Sequence, residues 1–477
     1  MTAGSRRPAV DVPDQASARP EGPRTVLMVL YFFPPLGGVS MARNVRHAQH
    51  LPKHGWTPVV LTPKAGAFEL KDPEAMDLLP AALAVIRTRS WEAGHVRPIA
   101  VRVRDAIGGW LPRRRRGTGA PTRRSVGLPA EGQLFSRLSW MRHLLFFPDD
   151  QVGWLPFALR AALRSGGDMR FDAVFSTSSP VTSHLIAGLF SRLTGTPWVA
   201  EFRDPWVGNA LAPPLPWLHR RLRTKVERWI VRSADRVVCV TPSLTRLYQR
   251  RYPEAGGIVT ITNGYDRSER LQLAETKART PGSPFRIVYT GTLYRDAELR
   301  VFLEGVDGLI RRRPDLAGNL EIVFYGEVTD PCRAVADSFV ENGNLRGVLR
   351  FAGFVPRRVA TAAVADADAA LVLLGAGPGM GLFVGGKLYD YLGQDRQVLA
   401  MIPPGDAREV LEGLSWGVIA DPDPAEVGRA VERLLSLPAP RRPADPEGRY
   451  DRVVLAGRLA DVLTEASAAH RRELGGS

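Results

Sequence analysis

The sequence predicts an α/β chain of two doubly wound domains, each a parallel sheet wrapped by helices. Three observations predict it. Short apolar runs rich in β-branched residues alternate with longer stretches of helical period, as strands joined by crossover helices do. The alternation occurs twice, on either side of a polar, turn-rich stretch, RSERLQLAETKARTPGSP at 267–284, which marks a boundary. The loops leaving several runs are rich in glycine, as expected where ligands are met beyond the carboxyl ends of parallel strands.

Residues 1–24 hold Arg and Pro but no apolar run, so they read as a disordered leader rather than a signal peptide. A first domain over 25–270 carries the strand-like runs 25–33, 57–63, 84–90, 171–178, 197–204, 235–243 and 258–266. After its first run, FPPLGGVSM turns into a helix at Gly37 and Gly38, where the backbone can approach a ligand closely, although the spacing is not G-x-G-x-x-G. A basic insertion at about 105–135 interrupts this domain. A second domain over 282–435 carries the runs 285–294, 320–328, 348–356, 368–377, 397–405 and 416–422. Residues 436–477 read as a helical segment with late basic residues, either crossing back to the first domain or lying on the surface.

A formal net charge of +15 and a pI near 10.3 imply an anionic partner: a phosphorylated substrate, an anionic membrane surface or nucleic acid. The densest block, LPRRRRGTGAPTRR at 111–124, is a solvated loop or a peripheral membrane contact. Nucleic acid is not expected, because no reader module, zinc-finger spacing or base-stacking aromatic pair occurs. Cys239 and Cys332 suit a reducing compartment and form no metal-ligand pattern. The expectation is a cytoplasmic protein, with possible attachment to the inner membrane face through the insertion. His47, His50, His54 and His143 show no H-E-x-x-H and read as surface histidines; no G-x-S-x-G is present.

The stretch GLFVGGKL at 381–388 comes within one residue of the P-loop G-x-x-x-x-G-K-[ST]. Leu388 stands where that loop needs a hydroxyl for Mg²⁺, so a P-loop nucleotide site is the weaker alternative. Gly385, Gly386 and Lys387 at a helix start instead combine backbone N–H groups, a helix dipole and a fixed cation, a grip for a diphosphate. Asp390 lies one turn on and faces the same way. In FRDPWVGN, Arg203 is too basic to be a general base. Asp204 can orient an acceptor or bind Arg203, and Trp206 offers a face for a sugar ring. Asn263-Gly264 is a turn or a hinge-side contact.

The order YFFPPLGGVSMARNVRHAQHLPKHGWTPVVLT, FPDDQVGWLPFAL, VAEFRDPWVGN, TNGYD, YTGTLYRD and GGKLYDYL resembles the family-4-like glycosyltransferases of GT-B fold. The resemblance covers about 25–470. It implies two Rossmann-like domains facing a central cleft, with the acceptor on the first and a nucleotide sugar on the second. The implied enzyme is a retaining hexosyltransferase that needs no metal or other cofactor. It implies donor contacts at Gly291, Arg295, Gly385, Gly386, Lys387 and Asp390, with Lys387, Asp204 and Arg295 in the chemistry. It implies an acceptor or cleft side at Gly37, Gly38, Arg203, Asp204, Trp206 and Asn263. The paired glutamates E-x7-E of many relatives fall on Leu382 and Asp390, and the usual Arg after the loop glycine is Thr292. The partners implied are a nucleotide sugar and an acceptor glycan, lipid-linked glycan or small molecule, in cell-surface polysaccharide assembly or secondary-metabolite glycosylation. A GT-B nucleotide-sugar epimerase is the alternative.

Overall fold

The computed structural model describes residues 23–36, 39–64, 76, 78–91, 146–212, 216–271, 282–414, 416–438 and 442–475. The expected leader, Gly37, Gly38, the insertion at 105–135 and His143 lie outside the described residues. The first half contains β1 (Arg24–Val29), α1 (Val39–His50), β2 (Trp56–Pro63), β3 (Ala84–Thr88), α2 (Leu155–Asp168), β4 (Ala173–Ser178) and α3 (Thr182–Thr194). It continues through β5 (Trp198–Phe202), α4 (Trp217–Ser233), β6 (Arg236–Cys239), α5 (Pro242–Arg251), β7 (Ile258–Thr260) and the short α6 (Arg267–Leu271). The second half runs β8 (Phe285–Thr290), α7 (Asp296–Arg312), β9 (Leu320–Tyr325), α8 (Asp330–Glu341), β10 (Leu349–Gly353), α9 (Arg357–Ala365) and β11 (Ala369–Leu373). It ends with α10 (Gly386–Gly393), β12 (Gln397–Met401), α11 (Asp406–Leu414), β13 (Val418–Ala420), α12 (Pro424–Ser436) and α13 (Arg452–Gly475).

Two sheets result, one of seven strands in the order β3-β2-β1-β4-β5-β6-β7 and one of six in the order β10-β9-β8-β11-β12-β13. Their strand pairs are parallel. Strand order reverses between β1 and β4 and between β8 and β11, and the loops leaving those strands splay apart into a crevice. That places the loop from Gly291 and the glycine-rich loop before Lys387 at one switch point.

The central strands are buried on both faces and largely apolar, with Ser176, Thr177 and Ser178 of β4 and Glu201 of β5 as exceptions. Leu27 and Val29 of β1 pack under α2 to α5, with Ala158, Ile186, Ile230 and Leu244. Val26 and Met28 on the opposite face meet Met41 and Val45 of α1 and Leu455, Leu459 and Leu463 of α13. The last helix, after the second sheet is complete, thus fills the core of the first. The chain enters it at Tyr450, whose carbonyl accepts from Tyr265 N, and Arg452 N returns a bond to Tyr265 O. Gly264 is needed there: a Cβ would fall 2.1 Å from Tyr450 O. Ser243, at the start of α5, donates through N and Oγ to Asp406 at the start of α11, at 3.0 and 2.7 Å.

Candidate functional site

At the switch point of the second sheet lies a cavity of about 230 Å³, whose lining includes Gly291, Thr292, Arg357, Lys387 and Asp390 with Glu269 of α6. Lys387 starts α10, and its side chain lies along Gly291. A Cβ at Gly291 would stand 2.6 Å from Lys387 Cε and 2.7 Å from Nζ, and its φ of +105° is itself suited to glycine. The ammonium donates to Tyr289 Oη at 2.7 Å and sits 4.0 Å from that ring. Tyr289 in turn donates to Thr292 O. Burial pushes the tyrosine pKa well up, so its hydroxyl stays neutral. Burial also lowers Lys387 to about 8, while Asp390 acts to raise it. Among the described residues no carboxylate forms an ion pair with Lys387, so its charge faces the cavity with a neutral partner only.

Gly385 and Gly386 precede it, and a Cβ on either would meet nothing within 4 Å. Gly385 has φ −61° and ψ 138°, open to any residue. Neither internal packing nor backbone geometry requires Gly385. The space it leaves lies in front of the first N–H groups of α10, where an anion is favoured. Leu388 is buried in the core of the second domain. Asp390 lies 3.4 Å from Arg357 Nη2, which is 3.4 Å from Glu269 Oε2 as well. One guanidinium therefore joins α10 to α6.

Arg295 is not among the residues lining the cavity; its Nε is paired with Glu298 of α7. Glu298 also borders the glycine-rich loop, since a Cβ at Gly375 would overlap its carboxylate.

On the first sheet, Arg203 and Asp204 follow the carboxyl end of β5. Burial lowers the Arg203 pKa, against Glu201 and Asp204, and Nη1 of Arg203 is buried with no hydrogen-bond partner among the described residues. Burial raises Asp204, with Arg203 opposing. Trp206, expected as a face for a sugar ring, is half-buried against the domain core and carries the Arg223 guanidinium 5.3 Å over its ring. Asn263 faces inward and accepts from Arg43.

That arginine belongs to a cluster invisible in the motifs. Glu201, fully buried on β5, accepts from Arg43 Nη2 at 2.6 Å and from Thr177 Oγ1 at 2.8 Å. Arg43 also bonds the carbonyls of Ile261 and Thr262, where the chain leaves the first sheet. Burial opposes the charge of Glu201, yet Arg43 and its other partners hold it at about 2. His47 and His50 correct the expectation of surface histidines: both are buried beside this cluster, and burial and Arg43 lower His47 to about 3. His184, bonded to Ser176, is likewise lowered to about 3 by burial. The available signal was an acid inside an otherwise apolar strand, WVAEF, which requires a buried cation. Phe354, on the loop after β10, and Arg357, at the start of α9, were missed too, although their place beyond a strand end marks them.

Residues 37–264 match the family model of the glycosyl transferase 4-like domain. Among solved structures, α,α-trehalose 6-phosphate synthase from Burkholderia multivorans aligns at TM-score 0.61 and 13% identity, covering 95% of this chain and 98% of that one. Sucrose-phosphate synthase from Thermosynechococcus elongatus aligns at 0.55 and 15%, covering 95% and 100%. HepE from Anabaena, in complex with UDP, aligns at 0.51 and 12%, covering 95% and 100%. At these identities the likeness is one of fold, the GT-B fold. No curated protein matches the chain.

Proposed function

We propose that this chain, a glycosyltransferase with a glycosyl transferase 4-like domain at residues 37–264 and a GT-B fold, moves a sugar from a nucleoside diphosphate to an acceptor hydroxyl with retention and without a metal. One observation carries it: an ammonium with no ion-paired carboxylate among the described residues, held over Gly291 at the N-terminus of α10, faces a cavity at the switch point. A sugar diphosphate leaves with charge building on its β-phosphate, and a fixed cation there stabilises the transition state more than the ground state. Lys387 and the N–H groups at Gly385 and Gly386 would take that charge, and Arg295 would join by exchanging Glu298 for phosphate. Asp390, steadied by Arg357, would accept from a ribose hydroxyl. Phe354, largely exposed on the cavity rim, gives a base an aromatic face.

Transfer then breaks the bond from anomeric carbon to phosphate oxygen and forms one to the acceptor oxygen on the same face. The acceptor proton passes to the departing diphosphate. Asp204 would orient the acceptor, beside the unpartnered Nη1 of Arg203. The UDP held by HepE, a protein of the same fold, supports a nucleotide donor. Free, buried Cys239 and Cys332 fit a reducing, cytoplasmic setting, and among the described residues no helix is long and apolar enough to cross a membrane.

Calorimetry or thermal shift with UDP-, GDP-, dTDP- and ADP-sugars, with and without EDTA, tests this. Binding of one of them in EDTA is expected, and binding of none overturns the proposal. Loss of turnover in EDTA removes the metal-free step, and an inverted product anomer by NMR removes retention.

A further inference from the structure

We propose that the outer face of α4 docks the protein on an anionic phospholipid surface, with the cleft held toward the bilayer. α4 reads WLHRRLRTKVERWIVRS. Residues 219, 223, 226 and 230 turn inward at helical spacing, with His219 and Ile230 in the core. Trp217, Arg221, Lys225 and Arg228 fall on the opposite side at intervals of four, four and three, and all are exposed. Trp217 is 62% exposed and Leu218 45%, two adjacent large apolar side chains in the first turn of the helix.

The face carries one sign of charge. Glu227, the only acid of α4, is buried and bound to Arg251, Tyr248 and Tyr252. Arg232 near the far end is 3.8 Å from Glu254. Among the described residues no carboxylate lies within ion-pair distance of Arg221, Lys225 or Arg228; Arg221 instead lies 5.2 Å over the Trp217 ring. An indole and a leucine at one end of a cationic stripe match the headgroup region, where rings sit at the interface and phosphates take the cations. A nucleic-acid partner fits less well, because the apolar end would be left in water and no further aromatic faces outward along the stripe.

The position relative to the cleft gives the docking a purpose. α4 is the crossover after β5, so its Trp217 end lies at the carboxyl edge of the sheet, beside the loop carrying Arg203 and Asp204. That loop reaches the second domain: a Cβ at Gly379 would contact Ala210 at 3.2 Å. α2 starts at the same edge with Phe157, 41% exposed, and the preceding Phe147 packs against His219 of α4. A bilayer meeting Trp217 therefore lies at the mouth of the cleft. Resting on the transferase reading, this selects a lipid-anchored acceptor.

The test uses the full chain and vesicles of phosphatidylcholine with or without phosphatidylglycerol. Co-sedimentation with the anionic vesicles, weakened by salt, is expected. The triple variant Arg221→Glu, Lys225→Glu, Arg228→Glu should weaken binding by about a hundredfold or more. Trp217→Ser with Leu218→Ser should weaken it by about tenfold or more. Both should keep the wild-type melting temperature and donor binding; Arg221→Glu alone serves if the triple variant melts early. The proposal is overturned by no binding to anionic vesicles or by unchanged binding of the variants. It is also overturned if deletion of 111–124 alone removes binding, or if the stripe prefers a DNA or RNA oligonucleotide to vesicles. Failure here with donor binding intact leaves the transferase reading standing, whereas loss of donor binding in the wild-type chain strikes that reading instead.

Discussion

Lys387 shows how much one residue's surroundings decide. Burial makes the ammonium costly to keep charged, more than its tyrosine hydroxyl and ring offset, which is why its pKa falls to about 8. The cost is recovered when an anion enters. Replacing it by Ala should lower kcat/KM by about 10²–10³, with a melting temperature equal to or above wild type, since a buried charge is removed. The pH dependence has a definite sign. Below about 8 the lysine is charged; as pH rises through 8 it loses its proton and its hold on the diphosphate. Donor KM should therefore be flat up to about 8 and rise above it in the wild type, and be flat throughout in Lys387→Ala. Gly291→Ala should cost about 1–3 kcal/mol in a denaturant melt through its positive φ, and should also raise donor KM by displacing Lys387. These positions stand out in the sequence because lysines are rare among its cations and two glycines precede this one. Arg295 and Trp206 stand out as strongly, yet their nearest partners, Glu298 and Arg223, come from helical turns that no motif links to them.

At the scale of elements, the strand pattern was legible and the inner face of α1 was not. Parallel strands covered on both sides are largely apolar, and that pattern needs no knowledge of what covers them. α1 instead buries Arg43, Asn44, Arg46, His47 and His50, a set that amphipathicity assigns to solvent. What buries them is α13, the β7 exit and the acid of β5, all remote in sequence. Arg43→Ala strands Glu201 as an uncompensated buried charge, so a loss of about 3–5 kcal/mol is expected in urea unfolding; Arg43→Ala with Glu201→Gln should recover part of it. The buried histidines set the acid response. His47 and His184 are neutral in the fold, with pKa values near 3 against 6.5 unfolded, so the unfolded chain binds more protons between these limits. Stability should fall as pH drops below about 6.5, by roughly 1.4 kcal/mol per pH unit for each histidine. His184→Gln should remove its share of that slope; an unchanged slope would show that the ring is protonated in the fold.

For the whole molecule, the decisive feature is that α13, which follows the second sheet, packs in the core of the first domain. Charge, periodicity and glycine loops reveal two sheets, but the partner of a terminal helix is a tertiary fact, since any amphipathic helix could cover either core. In the structure α13 adds Leu455, Leu459, Val462 and Leu463 to the core cluster that α1 and the strands β1, β2, β4, β5 and β6 form on one face of the first sheet. At about 1.5–3 kcal/mol for each side chain buried, these four supply about 6–12 kcal/mol, as much as the net stability of a typical domain. The first domain is therefore incomplete until the second has been traversed, and the two are joined twice, through the Asn263–Asp266 segment and through Tyr450–Arg452. A chain truncated after 448 keeps all thirteen strands of the described residues but takes Leu455, Leu459, Val462 and Leu463 out of the cluster that holds Val26, Met28, Val60 and Phe175. Its second domain, whose core uses no residue of α13, should still unfold cooperatively. Its first domain should show no cooperative transition and rapid amide exchange in β1, β2 and β4, and a separate 449–477 peptide should restore protection. Hydrogen exchange followed by mass spectrometry reads each domain separately; native-like protection of β1 in the truncated chain would show that the first domain folds without its last helix.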